Sequence, residues 1–258
     1  MRVIISPAKK MRVDTDSFVC DELPAFLPKT EILMGYIRGL SYAEKKALWS
    51  CNDQIAQENA GRFDGMDLRK NLTPAILAYD GIQYSCMAPA VFEDRHFDSV
   101  QEHVRILSGF YGMLKPMDGV VPYRLEMQAK VRLGEYRNLY DFWGDDLYHA
   151  VVDSSRIVIN LASKEYSRCI EKYLATGDRC VTCVFGELEK GKVVQKGVYA
   201  KMARGDMVRY MAEIGAEKPE ELKRFDRGGY RFEESLSSDT EYVFVRSQIP
   251  GRLPHRVL

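Results

Sequence analysis

Hydrophobic side chains follow helical spacing in the stretch from residue 98 to residue 111. They recur at intervals of three or four positions, at Val100, Val104, Leu107 and Tyr111. Asp98 and Gln101 fit the positions of an N-cap and its reciprocal partner. Gly109 and Gly112 weaken a helix, so they indicate either its C-terminal end or a close approach of another backbone. The pattern predicts a capped amphipathic helix that begins at Asp98.

A period of two follows the Lys-Pro turn that ends this stretch. Tyr123, Leu125 and Met127 alternate with Arg124 and Glu126. Alternation of this kind is typical of a strand with one buried face and one polar face. The sequence therefore predicts a short strand that presents two opposite charges on the same side.

The same criteria predict the remaining elements. Strands are expected at 2–6, 75–79, 156–162, 180–185, 193–199 and 241–245, with the fourth and fifth forming a hairpin. Helices are expected at 30–39, 41–60, 139–152, 164–174 and 200–214. Their irregular alternation favours a fold between α/β and α+β, with a mixed sheet flanked by helices. We expect a single compact domain over 1–245 and a loosely ordered tail over 246–258.

The helical stretch 41–60 has a break in it. Residues 50–52 (Ser-Cys-Asn) interrupt the stretch, so two short helices joined by a tight turn are expected. This is the shape of a helix-hairpin-helix, which binds phosphate through the amides of its turn. Such turns normally contain glycine and this one has none, so the residues alone favour an ordinary helical pair.

Composition limits the classes of function. The 258 residues include 37 Lys plus Arg and 37 Asp plus Glu, so the net charge is zero. Proteins that bind nucleic acid through their overall charge are usually basic. In this neutral chain, nucleic-acid binding would therefore require a local basic patch. The N-terminal apolar run is too short for a signal peptide, and no segment approaches the ~18 apolar residues of a membrane helix. With six scattered cysteines, we expect a cytoplasmic protein with reduced thiols and no membrane partner.

The Cys180-x-x-Cys183 pair has the spacing of a redox or metal motif but not its context. A thioredoxin-type pair precedes a helix, whereas this pair lies inside a predicted strand, with its two side chains on opposite faces. The four histidines lack zinc-ligand spacing, and the sequence contains no glycine-rich nucleotide loop or nucleophile elbow. We therefore expect neither a metal nor a cofactor.

Two predicted strands end in polar residues. Pro7 closes the first strand and leaves Ser6 and Lys9 at its carboxyl end. Asn160 and Ser163 stand at the end of another strand. Loops held by a scaffold often carry functional groups, although a lysine after a strand is more often a solvated surface residue.

Charged residues in apolar surroundings indicate a cleft for an anion. Lys201 and Arg204 are three positions apart on a predicted helix, so both can point at one anion; the alternative is a solvated basic face. Other charges in such settings are Lys9, Lys115, Arg124 and Glu126. These charges need partners, either each other or a bound anion. A cleft of this kind suits a phosphate-bearing ligand, with Glu126 orienting an arginine or acting as general base.

Six short motifs occur in a fixed order along the chain. They are ISPAK at 5–9, LSGFYGMLKPMD at 107–118, PYRLEM at 122–127, LYDFWG at 139–144, NLASKEY at 160–166 and YAKMARGDMVRYM at 199–211. Together they resemble the YaaA family of peroxide-stress resistance proteins, and the match extends to about Phe244. Because the six cysteines lie outside these motifs, the resemblance argues against a thiol peroxidase mechanism.

The resemblance implies a cytoplasmic bacterial protein that limits oxidative damage to DNA and protein under hydrogen peroxide. It also implies an effect on free intracellular iron, a single domain of mixed fold, and a positively charged cleft. A helix-hairpin-helix is implied at about 40–61, together with binding to duplex and irregular DNA.

Two hypotheses follow for the function. The first is structure-specific DNA binding with little base readout. The expected phosphate contacts are Ser6, Lys9, Ser50, Asn52, Lys115, Arg124, Lys201 and Arg204. The second is an enzyme acting on a nucleic acid or nucleotide-like substrate, with Lys9, Arg124 and Glu126 as catalytic residues. Iron sequestration is a weaker alternative, because iron(II) favours His and carboxylate ligands and the motifs offer mainly cations. The oligomeric state stays open.

Overall fold

The computed structural model describes residues 1–246, in which helices and strands alternate irregularly. The strands are β1 (Arg2–Ile5), β2 (Lys10–Met11), β3 (Thr73–Pro74), β4 (Tyr79–Asp80), β5 (Val104–Ser108), β6 (Gly112–Leu114), β7 (Gly119–Val120), β8 (Ile157–Asn160), β9 (Arg179–Glu189), β10 (Lys192–Val194), β11 (Tyr230–Phe232) and β12 (Glu241–Arg246). The helices are α1 (Leu27–Gly39), α2 (Tyr42–Trp49), α3 (Asp53–Asp64), α4 (Ala75–Ala78), α5 (Ile82–Met87), α6 (Asp94–His103), α7 (Leu139–Trp143), α8 (Asp146–Val151), α9 (Lys164–Glu171) and α10 (Gly197–Ile214).

A mixed sheet, eight-stranded within residues 1–246, forms the centre of the molecule. Five parallel neighbours lie in the order β12, β9, β8, β1 and β5, and the antiparallel strands β11, β6 and β10 extend it. β1 is central: Val3 pairs with Ile159 of β8 on one side and with Val104 of β5 on the other. Val3, Ile4 and Ile5 are completely buried, as expected of a parallel strand covered on both faces. The predicted mixed sheet flanked by helices is confirmed, as an α/β fold.

Several predicted elements are confirmed. The first strand, the strand before Ser163, the hairpin and the last strand correspond to β1, β8, the β9–β10 pair and β12. The predicted break at 50–52 separates α2 from α3. Ser41 caps α2 in a capping box, and the Asn52 side chain caps α3 by accepting a hydrogen bond from the Ile55 amide. Short polar side chains therefore fix both helix starts.

The helix predicted from Asp98 is wrong at both ends. The observed α6 begins at Asp94 and ends at His103, and the amide of its N-cap, Glu93, donates to His96 Nδ1 at 3.1 Å. The chain then continues directly as β5, which is buried along its whole length and pairs with β1. The apolar residues of β5 fit a helical stripe and also a continuous buried strand, and the pairing with β1 decides in favour of the strand.

Two other predicted strands are also wrong. In the stretch 75–79, Ala75–Ala78 form the buried helix α4, and Tyr79 begins the short strand β4. Residues 123–127 pair with no strand in the described part of the chain, although their three apolar side chains are buried and their two charged ones only partly so. This segment packs against Gly109, where an added Cβ would lie 2.6 Å from the Leu125 carbonyl oxygen. The alternation of apolar and charged residues therefore results from packing against the turn at Gly109, and not from pairing with a neighbouring strand.

Some boundaries also differ from the prediction. Gly144, at φ +55°, interrupts the helix expected at 139–152 and divides it into α7 and α8. The second hairpin strand ends at Val194, because α10 already begins at Gly197. Arg246, expected to open the tail, ends β12, and 247–258 lie outside the described residues. Among residues 1–246, no helix combines the length and apolarity needed to cross a membrane.

Gly205 lets α5 and α10 pack backbone to backbone. An added Cβ at this position would lie 2.0 Å from the Gln83 carbonyl oxygen and 3.0 Å from the Met87 nitrogen. Only glycine leaves room for so close an approach. Because Arg204 is the preceding residue, this contact also determines where α10 presents the Arg204 side chain.

We expect Gly205→Ala to destabilise the protein by about 1–3 kcal/mol, because the added methyl group would overlap rigid backbone atoms. Gly35→Ala is the matched control, since nothing lies within 4 Å of an added Cβ in this helical position. The control should stabilise the protein by about 0.5–1 kcal/mol, the usual preference of a helix for alanine over glycine. Urea unfolding followed by circular dichroism measures both changes. Equal stability of Gly205→Ala and the parent would contradict the close contact.

Candidate functional site

Hydrogen bonds join the carboxyl ends of β1 and β8. The Ser163 amide donates to Ser6 Oγ at 2.8 Å, and the two hydroxyl oxygens are 3.2 Å apart. Ser163 precedes α9 as predicted, but its side chain makes no capping bond and contacts Ser6 instead. The Tyr84 hydroxyl of α5 donates to the Ser6 carbonyl at 3.0 Å. Ligands of parallel sheets bind beyond the carboxyl ends of the strands, so a ligand site is expected at this edge.

A cavity of about 370 Å³ opens at this edge of the sheet. It brings together six of the predicted site residues from three distant segments: Ser6, Lys9, Arg124, Glu126, Lys201 and Arg204. Its basic lining residues are Lys9, Lys10, Arg124, Lys201 and Arg204, and its acidic ones are Asp80, Glu126 and Glu165. We refer to this cavity as the charged cleft. Its lining is positive, although the chain as a whole is neutral.

Glu126 lies between two cations in the charged cleft. Its carboxylate is 2.9 Å from Lys9 Nζ and 3.2 Å from Arg124 Nη2. The Arg124 side chain is only 12 % exposed, whereas that of Lys9 is 64 % exposed. The carboxylate therefore orients a nearly buried arginine, and the lysine remains accessible from the solvent.

Arg204 is a nearly buried cation without an anion. In the part of the chain that the structure describes, its guanidinium forms no hydrogen bond or ion pair, and Nε is buried. Burial lowers the pKa of Arg204, because it penalises the charged form. Lys201, one turn earlier on α10, is exposed and likewise lacks a carboxylate partner within residues 1–246. These two cations are free to bind a ligand.

Glu165 adds a second carboxyl group to the cleft. It lies in the first turn of α9 and accepts a hydrogen bond from the Gln128 amide at 3.2 Å. Burial raises the pKa of Glu165, and the neighbouring charge of Glu126 acts in the same direction. The cleft thus contains one carboxylate held by cations and one carboxyl group with an increased tendency to bind a proton.

Three residues predicted to contact phosphate lie elsewhere. Ser50 and Asn52 belong to the turn between α2 and α3, and Lys115 Nζ is 3.2 Å from the Glu22 carboxylate. In the described residues, none of these three lines the charged cleft. The structure therefore separates the predicted contacts into the cleft, the hairpin turn and one surface ion pair.

The sequence prediction did not include Gln83 and Glu165 as site residues. Glu165 lies inside the motif NLASKEY, and this position could have identified it as a candidate site residue. Gln83 carries no charge and has no characteristic spacing, and only the packing of α5 on α10 brings it to the cleft. Within residues 1–246, no group of three or more His, Cys, Asp or Glu side chains is placed to hold a metal ion.

Comparison with known sequences identifies the family. A family model described as "Peroxide stress protein YaaA" matches residues 1–236. The chain belongs to this family. Similar relatives are UPF0246 proteins of Agathobacter rectalis (58 % identical, covering 95 % of this chain and 99 % of the relative), Desulfitobacterium hafniense (53 %, covering 96 % and 98 %) and Lachnoclostridium phytofermentans (53 %, covering 96 % and 97 %). The resemblance indicated by the six motifs is confirmed.

Thiols are the protein groups that usually react with hydrogen peroxide, so the state of the cysteines matters in a peroxide-stress family. All six cysteines are free. Burial raises the pKa of Cys86 to about 11 and the pKa of Cys169, Cys180 and Cys183 to about 12. Because the thiolate is the reactive form, these four cysteines are poorly suited to react with hydrogen peroxide at neutral pH.

We expect a variant with Cys20→Ser and Cys51→Ser, which retains these four cysteines of raised pKa, to consume hydrogen peroxide very slowly at pH 7. Relative to an unperturbed thiol, the thiolate fraction of Cys86 should be lower by about 100-fold, one factor of ten per pKa unit. Peroxide loss with folded protein is compared with the same protein in urea, where the thiols are exposed. The folded rate should rise as the pH approaches 11. Rapid consumption by the folded variant at pH 7 would contradict this reading of the thiols.

Proposed function

We propose that this protein acts in the cytoplasm during peroxide stress by binding DNA, with a preference for DNA structure over base sequence. Such binding would limit oxidative damage to DNA and to protein. Phosphates would be held in the charged cleft and at the turn between α2 and α3. The proposed limit on free intracellular iron rests on the family resemblance.

The Arg204 guanidinium, which has no hydrogen-bond or ion-pair partner among residues 1–246, is the observation that carries this proposal. Arg204 is only partly exposed and its Nε is buried, so its charge is poorly solvated, and an anionic ligand would offset that cost. Phosphate suits a guanidinium especially well, because two parallel N–H groups can each donate to a phosphate oxygen. Lys201 and Lys9 at the accessible side of the cleft supply further positive charge for a polyanion.

The turn between α2 and α3 supports a second phosphate contact. Ser50 has φ +46° and ψ +52°, so it adopts the left-handed conformation that glycine usually provides in such turns. In residues 1–246, the amides of Cys51 and Asn52 donate to no backbone acceptor. Asp53, in the first turn of α3, is 2.7 Å from Lys46, which offsets the repulsion it would exert on a phosphate.

A second candidate function is an enzyme acting on a nucleic acid or nucleotide-like substrate in the same cleft. The two carboxyl groups favour it, because Glu126 is held by cations while burial raises the pKa of Glu165. Two carboxyl groups in different environments are a common arrangement for acid and base catalysis. In this reading, Glu126 would act as general base, and Lys9 and Arg124 would hold the phosphate.

DNA affinity should fall steeply with salt if phosphates are the main contacts. With three or four contacts, we expect roughly a 40- to 150-fold loss between ~50 and ~200 mM salt. Lys201→Ala should weaken binding and reduce the slope of log affinity against log salt by about one. Lys70→Ala is the control, because Lys70 is exposed, pairs with Asp67, and does not line the cleft. Fluorescence anisotropy with a labelled duplex measures these values, and affinity independent of salt would refute DNA binding.

Glu126→Gln separates the two candidate functions. If the protein only binds DNA, loss of a negative charge from the cleft should leave DNA affinity equal or higher. Survival of cells in hydrogen peroxide should then be maintained by the variant. If survival is lost while DNA affinity is kept, the enzyme hypothesis is supported and simple binding is excluded.

A further inference from the structure

We propose that the inner part of the charged cleft binds the terminal phosphate monoester of a single nucleotide unit. This inference rests on the proposed function, because it specifies which phosphate the cleft receives. The nucleotide unit would be the phosphorylated end of a DNA strand or a free nucleoside monophosphate. Internal phosphates of a strand would remain at the exposed lysines.

Three buried hydrogen-bond donors beside the cleft have no acceptor among the described residues. Six buried polar side-chain atoms lack a hydrogen-bond partner within residues 1–246, and three of them belong to residues that line the cleft. They are Gln83 Nε2, Arg124 Nε and Arg204 Nε. Buried donors are normally paired, so three orphans around one cavity indicate an absent acceptor.

The number and charge of these donors favour a phosphate monoester over a diester. Two of the three belong to guanidinium groups, and Glu126 occupies only Nη2 of Arg124. A terminal phosphate carries a charge of about −1.5 to −2 at pH 7 and three strong acceptor oxygens. An internal phosphodiester carries a single charge and two free oxygens, so it offers these donors less charge and fewer acceptor atoms. The monoester matches the donors in both respects.

The carboxylates of the cleft do not cancel this positive charge. Glu126 is held by Lys9 and Arg124, so it contributes little repulsion to a second anion. Glu165 accepts the Gln128 amide, and burial raises its pKa. Asp80 is exposed, and its charge is screened by solvent. Among residues 1–246, none of these carboxylates forms an ion pair with Arg204 or Lys201.

The size and the walls of the cleft limit the ligand to one unit. A volume of about 370 Å³ is at the lower end of the range for small-molecule pockets. Pro7, Ala8 and Ile82 give the cleft an apolar wall, and Ile82 is 43 % exposed although it is a large hydrophobic residue. An apolar wall beside a group of cations suits a sugar and base attached to a phosphate. Lys9 and Lys201 are exposed, so they stay accessible to the phosphates of a longer strand.

The test compares strand ends in a binding assay at about 0.15 M salt. The probes are one short single strand with a 5′-phosphate, with a 3′-phosphate, or with hydroxyl groups at both ends. A nucleoside 5′-monophosphate and its nucleoside serve as competitors and distinguish a free nucleotide from a strand end. We expect a phosphorylated end to bind about tenfold more tightly or better, the gain from one additional charge-assisted hydrogen bond. The monophosphate should compete and the nucleoside should not.

Arg204→Met should remove the preference for the phosphorylated end. It should also raise the melting temperature of the ligand-free protein, because it removes a partly buried charge that has no partner among residues 1–246. A purely structural role for Arg204 predicts the opposite shift in melting temperature. Gln83→Leu is the second variant, since it removes one donor without changing charge, and it should reduce the preference in part. Lys70→Ala should change neither quantity.

Each outcome has a separate meaning. Equal binding of phosphorylated and hydroxyl ends, without competition by the monophosphate, overturns the terminal-phosphate subsite even if salt-dependent DNA binding is found. Binding of the monophosphate without any DNA binding refutes the proposed function and retains the subsite for a free nucleotide. No binding of any probe refutes both, because the orphan donors would then be satisfied by water alone.

Discussion

The parallel pairing of β1 with both β5 and β8 is the constraint on which the rest of the structure depends. Val3 lies between Val104 and Ile159, so the first strand of the chain occupies the middle of the sheet. The chain leaves β1 toward β5 on one side and later returns to β8 on the other. Such a reversal leaves a crevice at the carboxyl ends of the central strands. Ser6 and Ser163 close its floor with their mutual hydrogen bonds.

Glycine contacts then determine which side chains enter this crevice. The backbone of the 123–127 segment packs directly against Gly109. In the same way, the backbone of α5 packs against Gly205 of α10. These two approaches bring Arg124 and Arg204 to one cavity from positions eighty residues apart in the sequence. A side chain at either glycine would keep the segments apart, so the site depends on the absence of two Cβ atoms as much as on its charges.

The sequence predicted the mixed sheet, most helices and six of the residues in the cleft, because these depend on local pattern and on motifs. The sequence prediction failed at β5, because the same apolar residues fit both a buried parallel strand and the apolar face of a helix. Only the pairing with β1 distinguishes the two structures. The prediction also missed Gln83, because an uncharged side chain becomes part of the site only through the packing around Gly205. Lys115 was expected among the phosphate contacts, but its side chain pairs with Glu22 and does not line the cleft, whereas Arg124 and Glu126 do.

The charge distribution bears on how such a cleft recognises its ligand. Because the whole chain is neutral, its net charge provides no long-range attraction for a polyanion. The positive charge is instead concentrated in a cavity whose low-dielectric walls strengthen each contact at short range. An unpaired guanidinium in that setting raises the free energy of the empty protein, and a phosphate lowers it again. Ligand binding would therefore stabilise the fold most strongly around α5 and α10, which bring Gln83 and Arg204 to the cleft.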